Sequence, residues 1–256
     1  MNSRHARYGV IGSPIAHSLS PVMQQAAFAA VHIDATYDAI ESDSGRVREV
    51  FARLRAERFA GWNVTTPLKE TVMSLVDKAS ADAAAARAAN TVRAERDGTL
   101  TGHNTDGAGF VRAVRELWSW EPQEAKVLIL GTGPAARAIA IALRASGEVS
   151  LACWSRDARR AAQIAPPPAG ILHLVVSALP ADATVPQHIA QMTNDETMIF
   201  DLNYGRQQSP VAAMRGRRRS DGLPMLLHQG ALSFEWWTGL PAPLPQMRAA
   251  LALRGV

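Results

Sequence analysis

Lys126-Val127-Leu128-Ile129-Leu130-Gly131-Thr132-Gly133-Pro134-Ala135-Ala136-Arg137 is the stretch on which the fold turns. From Val127 to Leu130 it is apolar without alternation, as expected of a strand buried on both faces of a parallel sheet. The strand closes on G-x-G-x-x-A, a variant of the dinucleotide-binding loop. Gly131 permits the tight turn, and Gly133 lets the backbone approach a pyrophosphate. Ala136 keeps the following helix close to the strand, and Pro134 fits the first helical turn, where its missing N–H costs nothing. The spacing predicts a helix over 135–145 whose first N–H groups face the anion. Gly131, Thr132, Gly133, Pro134, Ala135 and Ala136 are therefore candidate cofactor-binding residues.

The next strand, Val149 to Trp154, runs into Ser155-Arg156-Asp157-Ala158-Arg159-Arg160. An NAD site places an acidic residue about here to accept hydrogen bonds from the ribose. Ser155 and Arg156 hold that place, and Arg159 or Arg160 follows one helical turn on. Guanidinium groups suit a 2′-phosphate by charge and by bidentate geometry, so NADP is expected over NAD. Asp157 pulls the other way: a slip of two residues would put a carboxylate there, and NAD stays possible. Further strands are expected over 171–176 and 198–202, and a long apolar helix over 223–237.

Upstream, strand and helix patterns also alternate. Strands are expected over 8–12, 36–40 and 61–64, and helices over 47–54 and 79–89. Ser20 is expected to cap a helix with Pro21 at its first position, and another helix is expected directly after Pro67. Thr91–Ala94 and Thr99–Thr101 form a hairpin around Asp97-Gly98. The fold class is α/β, with an N-terminal domain over 1–106 plus 228–256 and a doubly wound, Rossmann-like nucleotide-binding domain over 107–227.

An apolar share of 47% and a charged share of 20% belong to a chain that can bury a core, which excludes disorder as the main state. The apolar runs are too short to cross a membrane, for which roughly twenty residues are needed. Residues 1–7 carry no apolar leader, and the single cysteine, Cys153, excludes an internal disulfide. A cytoplasmic protein is expected. The net charge of +4 comes from 27 basic and 23 acidic residues. Its densest basic cluster, Arg215 to Arg219, lacks interleaved aromatics or a reading helix, so nucleic acid is not an expected partner. No pair among the seven histidines has zinc-ligand spacing, and no metal is expected.

Several short polar strings stand at strand ends. They are Gly12-Ser13-Pro14-Ile15-Ala16-His17-Ser18-Leu19-Ser20-Pro21, Asn63-Val64-Thr65-Thr66-Pro67-Leu68-Lys69, Ala89-Asn90-Thr91 and Gly102-His103-Asn104-Thr105-Asp106-Gly107. The glycine loop and basic turn follow, then Asp201-Leu202-Asn203-Tyr204 and Asp221-Gly222-Leu223-Pro224-Met225-Leu226-Leu227-His228-Gln229-Gly230-Ala231. In this order the chain resembles the shikimate dehydrogenase family along nearly its whole length. The resemblance implies an NADP-linked oxidoreductase interconverting 3-dehydroshikimate and shikimate, a monomer or homodimer. It implies that Ser18 and Ser20 bind the substrate carboxylate and that Lys69 and Asp106 flank the reacting oxygen. Thr65, Asn90, Tyr204 and Gln229 would hold ring hydroxyls and carboxylate. Leu202, Gly222 and Met225 match positions near the nicotinamide, and Ser155, Arg156 and Arg160 fall at the ribose phosphate.

The residues give this constellation independent support. Hydride transfer is the cofactor's chemistry, so the protein must supply a proton relay and orientation. Lys69, two residues after Pro67, is expected in a first helical turn, where the dipole disfavours a cation. Asp106 is expected at a helix start, where a carboxylate is favoured. Gln229, in a mostly apolar helix, should face a partner or a cleft. Two strings depart from the family's usual ones: Ser155-Arg156-Asp157 replaces Asn-Arg-Thr, and Ser177-Ala178-Leu179 replaces Asn-Ala-Thr. Both fall on the cofactor side. The competing readings are an NAD-linked quinate/shikimate dehydrogenase and a non-catalytic dinucleotide- or shikimate-binding sensor.

Overall fold

The computed structural model describes residues 5–205 and 208–253; residues 1–4 of the N-terminal segment lie outside the described residues. The chain forms two compact units, Met1–Thr105 with Leu227–Val256, and Asp106–Leu226.

The first unit contains β1 (Ala6–Gly12), α1 (Ser20–Ala30), β2 (Ala35–Glu41), α2 (Val47–Ala56), β3 (Gly61–Val64), β4 (Lys78–Ala79), α3 (Ala81–Ala86), β5 (Thr91–Ala94) and β6 (Leu100–His103). Its sheet runs β2-β1-β3-β5-β6-β4. Strand β1 is parallel to β2 and β3, whereas β5 is antiparallel to both β3 and β6. The Asp97-Gly98 turn joins β5 to β6 with Gly98 at φ +85°, a conformation that suits glycine.

Alternation along the strands sends Ile11, Trp62, Val64, Val92 and Leu100 into one core, against Val47, Val50, Phe51 and Leu54 of α2. On α1, Phe28 stacks on Tyr8 of β1, with ring centroids 4.7 Å apart. Phe28 also meets Phe234, from the C-terminal part of the unit, at 5.4 Å.

The second unit holds α4 (Asp106–Trp118), β7 (Ala125–Leu130), α5 (Pro134–Ala145), β8 (Val149–Trp154), α6 (Ala158–Ala162), β9 (Leu174–Ser177), α7 (Gln187–Ala190), β10 (Met198–Asp201) and β11 (Arg218–Ser220). The chain then runs through α8 (Leu223–Thr238), within which the units join, to α9 (Leu244–Ala252). The second sheet is parallel throughout, in the order β11-β10-β9-β7-β8. Counted from its own first strand this is the doubly wound 2-1-3-4-5 order, whose direction of winding reverses between β7 and β9. Val127 and Ile129 enter one core and Leu128 and Leu130 the other, so β7 is buried on both faces as its unalternating sequence requires.

Four local expectations are corrected. No helix starts directly after Pro67: the Ala89 N–H takes the Lys69 carbonyl (2.9 Å), and only a 3-10 turn forms, over Thr71–Ser74. Lys69 precedes that turn, so the helix-dipole expectation for it fails. The Ala-rich helix α3 is short, capped by the Ser80 hydroxyl, which accepts from the Ala83 N–H, and ended by Arg87 in the left-handed region at φ 51°. Strand β9 starts at Leu174, leaving Ile171 half exposed outside the sheet. Ser20 is the first residue of α1 and not its cap; Leu19 is the cap, without a side-chain bond.

Helices α4 and α5 touch closely at Gly107. A Cβ there would collide with the Ala138 carbonyl and come within 2.8 Å of the Ala142 methyl. We expect Gly107→Ala to cost about 1–3 kcal/mol despite alanine's better helix propensity. Thermal melts would reveal the loss; an unchanged or higher Tm would contradict it.

Candidate active site

In the first unit the C-terminal ends of β1 and β3 lie side by side, with Ile11 opposite Val64. The loops leaving them continue the pairing: Thr65 N–H donates to the Ile11 carbonyl (2.9 Å) and Ser13 N–H to the Thr66 carbonyl (3.1 Å). Gly12 makes this possible, because a Cβ there would collide with the Thr65 side chain. The loops carrying Ser18 and Ser20, and Thr65 and Lys69, are thereby joined. The hydroxyl of Ser18 accepts the Ser20 N–H (3.3 Å), so the cap-like role expected of Ser20 falls to Ser18. Ser20 itself is buried, its hydroxyl in hydrogen-bonding reach of the Tyr37 phenol. Burial pushes that phenol well above its ordinary range, with the Ser20 bond acting in the opposite sense.

Asn90 is the junction of the unit. Its Oδ1 accepts from the Thr105 N–H (2.9 Å) and the Thr91 hydroxyl (2.9 Å), which orients the amide. Its Nδ2 donates to the Thr105 hydroxyl (2.9 Å) and to Gln229 Oε1 (3.2 Å). Asn90 and Gln229, far apart in sequence, are thus in direct contact. The Ala89–Lys69 bond brings the Lys69 loop to the residue before Asn90, and Thr105 is the residue before Asp106.

Under this junction lies a polar layer for which sequence reading assigned no role. Asn63 donates to the Asn90 carbonyl (3.1 Å), the Thr91 hydroxyl (3.1 Å) and the Ser233 hydroxyl (3.0 Å), and accepts from the Tyr37 phenol (2.6 Å). The Thr91 and Ser233 hydroxyls are 2.8 Å apart. Two signals were available. Asn63 is a polar residue inside a buried strand, and Ser233 stands one helical turn beyond Gln229 on an apolar helix.

In the second unit, Asp106 is buried in the first turn of α4. Gly131 adopts φ +114°, with the Ala178 carbonyl 3.1 Å from where a Cβ would be. Gly133 caps α5, Pro134 lies in its first turn, and Ala136 is buried in the core. A Cβ on Gly133 would meet nothing within 4 Å, so the backbone there is open to a ligand. Cys153 donates its thiol to the Gly131 carbonyl (3.3 Å), and burial pushes that thiol up to about 11; it packs under the loop as a protonated side chain.

The basic turn follows directly, since Gly131 N–H donates to the Trp154 carbonyl (2.8 Å). Arg156 is exposed and has no hydrogen-bond or ion-pair partner among the described residues. Asp157 caps α6 through the Arg159 and Arg160 N–H groups (3.1 and 3.2 Å), and its other oxygen pairs with Arg160 (3.3 Å). Ser155 accepts the Asp157 N–H (3.2 Å). Open space at Gly133, the left-handed Gly131 and the uncommitted Arg156 fit a phosphorylated dinucleotide.

Leu202, Gly222 and Met225 have packing reasons of their own. A Cβ on Gly222 would strike the Leu202 backbone, and Met225 is buried with Phe110 and Phe200. Tyr204 is half-buried on the loop after β10. Ser177, at one departure from the family string, is fully buried, and its hydroxyl has no partner among the described residues.

The arginine cluster is mostly engaged internally. Arg215 and Arg217 pair with Asp195, and Arg219 donates to the Met214 and Val211 carbonyls. Among the described residues no group of three or more His, Cys, Asp or Glu side chains is placed to hold a metal. No helix there is long and apolar enough to cross a membrane.

A mixed-sheet unit combined with a doubly wound unit bearing a glycine loop at its winding reversal defines the class: an α/β protein with a Rossmann-like domain. The chain belongs to the shikimate dehydrogenase family. A family model described as the shikimate dehydrogenase substrate binding domain matches residues 10–92, and one described as the shikimate 5′-dehydrogenase C-terminal domain matches residues 222–252. The NADP(+) shikimate dehydrogenase of Desulforamulus reducens is 32% identical, over 98% of this chain and 96% of that protein. The Thermus thermophilus shikimate 5-dehydrogenase, solved with NADP(H) and shikimate, is 31% identical with a TM-score of 0.84, covering 98% of this chain and all of that one. The Listeria monocytogenes enzyme, solved with shikimate and NAD, is 29% identical with a TM-score of 0.80, covering 98% of each chain.

Asp221 opens α8 by accepting the Leu223 N–H (3.1 Å). Burial raises its carboxyl above the ordinary 3.8; the Leu223 bond opposes this, and the charge of Asp201 adds to it. The folded state therefore holds this proton more tightly than the unfolded chain. Its stabilising share is complete below the ordinary value and is lost as pH rises through the raised one. Asp221→Asn, which keeps the capping acceptor, should raise Tm at pH 7 and converge with the native chain below about pH 4. A Tm difference independent of pH would refute this.

Proposed function

We propose that this chain is an NADP-dependent oxidoreductase that interconverts 3-dehydroshikimate and shikimate, with Lys69 and Asp106 as its proton relay. The unit of residues 1–105 with 227–253 acts as the substrate-binding domain, and 106–226 as the NADP-binding domain. The observation that carries the reading is the Asn90 junction. One oriented amide bonds Gln229 and Thr105 and adjoins the residue that anchors the Lys69 loop. These are the segments from which a relay and its substrate contacts would come.

Ser18 and Ser20 bind the substrate carboxylate, while Thr65, Asn90, Tyr204 and Gln229 hold its remaining oxygens. Because Gln229 Oε1 accepts from Asn90, Gln229 approaches the substrate as a donor through its Nε2. Lys69 Nζ exchanges a proton with the reacting ring oxygen, and the Asp106 carboxylate steadies the ammonium. Gly131 to Ala136 hold the pyrophosphate at the start of α5, and Ser155, Arg156 and Arg160 hold the ribose phosphate. Leu202, Gly222 and Met225 lie near the nicotinamide. When bound, NADP supplies hydride transfer at the ring carbon.

Lys69→Ala should cut kcat by roughly 10²–10⁴ in shikimate-dependent NADPH formation, the usual worth of positioned acid–base catalysis. A folded variant with native turnover would remove Lys69 from the relay. Arg156→Ala should weaken NADP binding far more than NAD binding, measured by titration of each nucleotide; equal losses would show that Arg156 does not read the 2′-phosphate.

A further inference from the structure

Within the first unit, α1 meets the C-terminal part of α8 at matching turns. Phe28 faces Phe234 there, both fully buried, with ring centroids 5.4 Å apart. One turn nearer the start of each helix, Gln24 faces Gly230. Gln24 is fully buried, and its Nε2 donates to the Gly230 carbonyl (2.8 Å). Gly230 admits this approach, because a Cβ there would collide with the end of the Met23 side chain and stand 3.3 Å from Gln24 Nε2. A carbonyl can accept only from the nitrogen side of the amide, so the orientation of Gln24 is fixed. Its Oε1 is left buried, with no partner among the described residues. An apolar side chain would fill the same place without that cost, as Phe28 does one turn away.

The Gly230 carbonyl lies inside α8, where it also accepts an N–H from the following turn. Gln24 is therefore not needed to satisfy it. What the bond does is fix α8 along α1 at the residue after Gln229, whose Oε1 receives the Asn90 amide at 3.2 Å. Apolar packing is non-directional, whereas a hydrogen bond sets distance and angle. We infer that Gln24 is a positioning residue for substrate binding, one that gives up stability to hold Gln229 in register with Asn90. The inference rests on the reading that Gln229 is a substrate contact. It also joins both ends of the substrate's cradle, since α1 begins at Ser20, two residues after Ser18.

Gln24→Met keeps an unbranched side chain of similar length and removes the amide. The measurements are steady-state kinetics of the purified full chain with shikimate and NADP, and thermal melts. Gln24→Met should raise KM for shikimate about fivefold, while kcat and KM for NADP stay within about twofold. Its Tm should equal or exceed that of the native chain, because the orphaned oxygen goes and no buried group is left unpaired. In a Gln229→Ala background the same change should add less than about twofold, since it acts through Gln229. Gln24→Leu repeats the test with a second apolar side chain. A lowered Tm with both KM values disturbed, or an undiminished effect on top of Gln229→Ala, would make Gln24 a packing residue and overturn the inference. It is also overturned if Gln229→Ala raises KM for shikimate and Gln24→Met leaves it within about twofold. If Gln229→Ala itself leaves that KM unchanged, Gln229 is not a substrate contact, and the inference falls with that reading.

Discussion

A buried amide that loses a partner costs roughly 1–3 kcal/mol, and in the first unit that constraint acts through Asn63 and Asn90. Both are buried, and their partners come from β2, β5, α8 and the segment before α4. The partners on α8 and before α4 lie beside candidate substrate or relay residues, Ser233 one turn from Gln229 and Thr105 next to Asp106. The orientation of Asn90, set by the Thr105 N–H at its Oδ1, decides that Gln229 Oε1 receives a donor. Asn63 Nδ2 has three acceptors for its two hydrogens, the Asn90 carbonyl and the Thr91 and Ser233 hydroxyls. A partly satisfied buried network is less favourable than an apolar core, so its members depend on one another.

The second unit is organised by close backbone approach. Gly107, Gly131 and Gly222 each lie where a methyl group would strike another main chain or come within about 3 Å of it. These contacts bring α4 onto α5, the glycine loop against the end of β9, and the start of α8 against the end of β10. Gly133 differs from them, because nothing occupies the space a side chain would fill. One glycine of the loop therefore serves the fold and the other leaves room for a ligand. The Cys153 thiol, held protonated by burial, joins the support below Gly131.

Much of this was legible before any coordinates. The unalternating run before Gly131, the exact-length strands at 61–64 and 149–154, and the Asp97-Gly98 hairpin depend on local patterning, which the chain carries wherever it folds. The departures from expectation have more than one origin. A helix after Pro67 follows from local propensity, but the Lys69 carbonyl was already taken by Ala89. Ser20 has the chemistry of a cap, yet Ser18 accepts the N–H. From sequence Asp157 reads only as a carboxylate near the ribose, and in the structure it caps α6. Only the first was decided by a residue distant in sequence; the other two turn on neighbours two or three residues away.

The sequence by itself determined the alternation of strand and helix, the doubly wound unit with its glycine loop, and which polar strings were too unusual for plain surface. Those properties come from hydrophobic periodicity and from the stereochemistry of glycine and proline, which act over a few residues. Tertiary structure decided which polar groups meet: Asn90 with Gln229, and Asn63 with Ser233. Hydrogen bonds are short-ranged and directional, so their partners are settled only once packing has brought distant segments within about 3 Å.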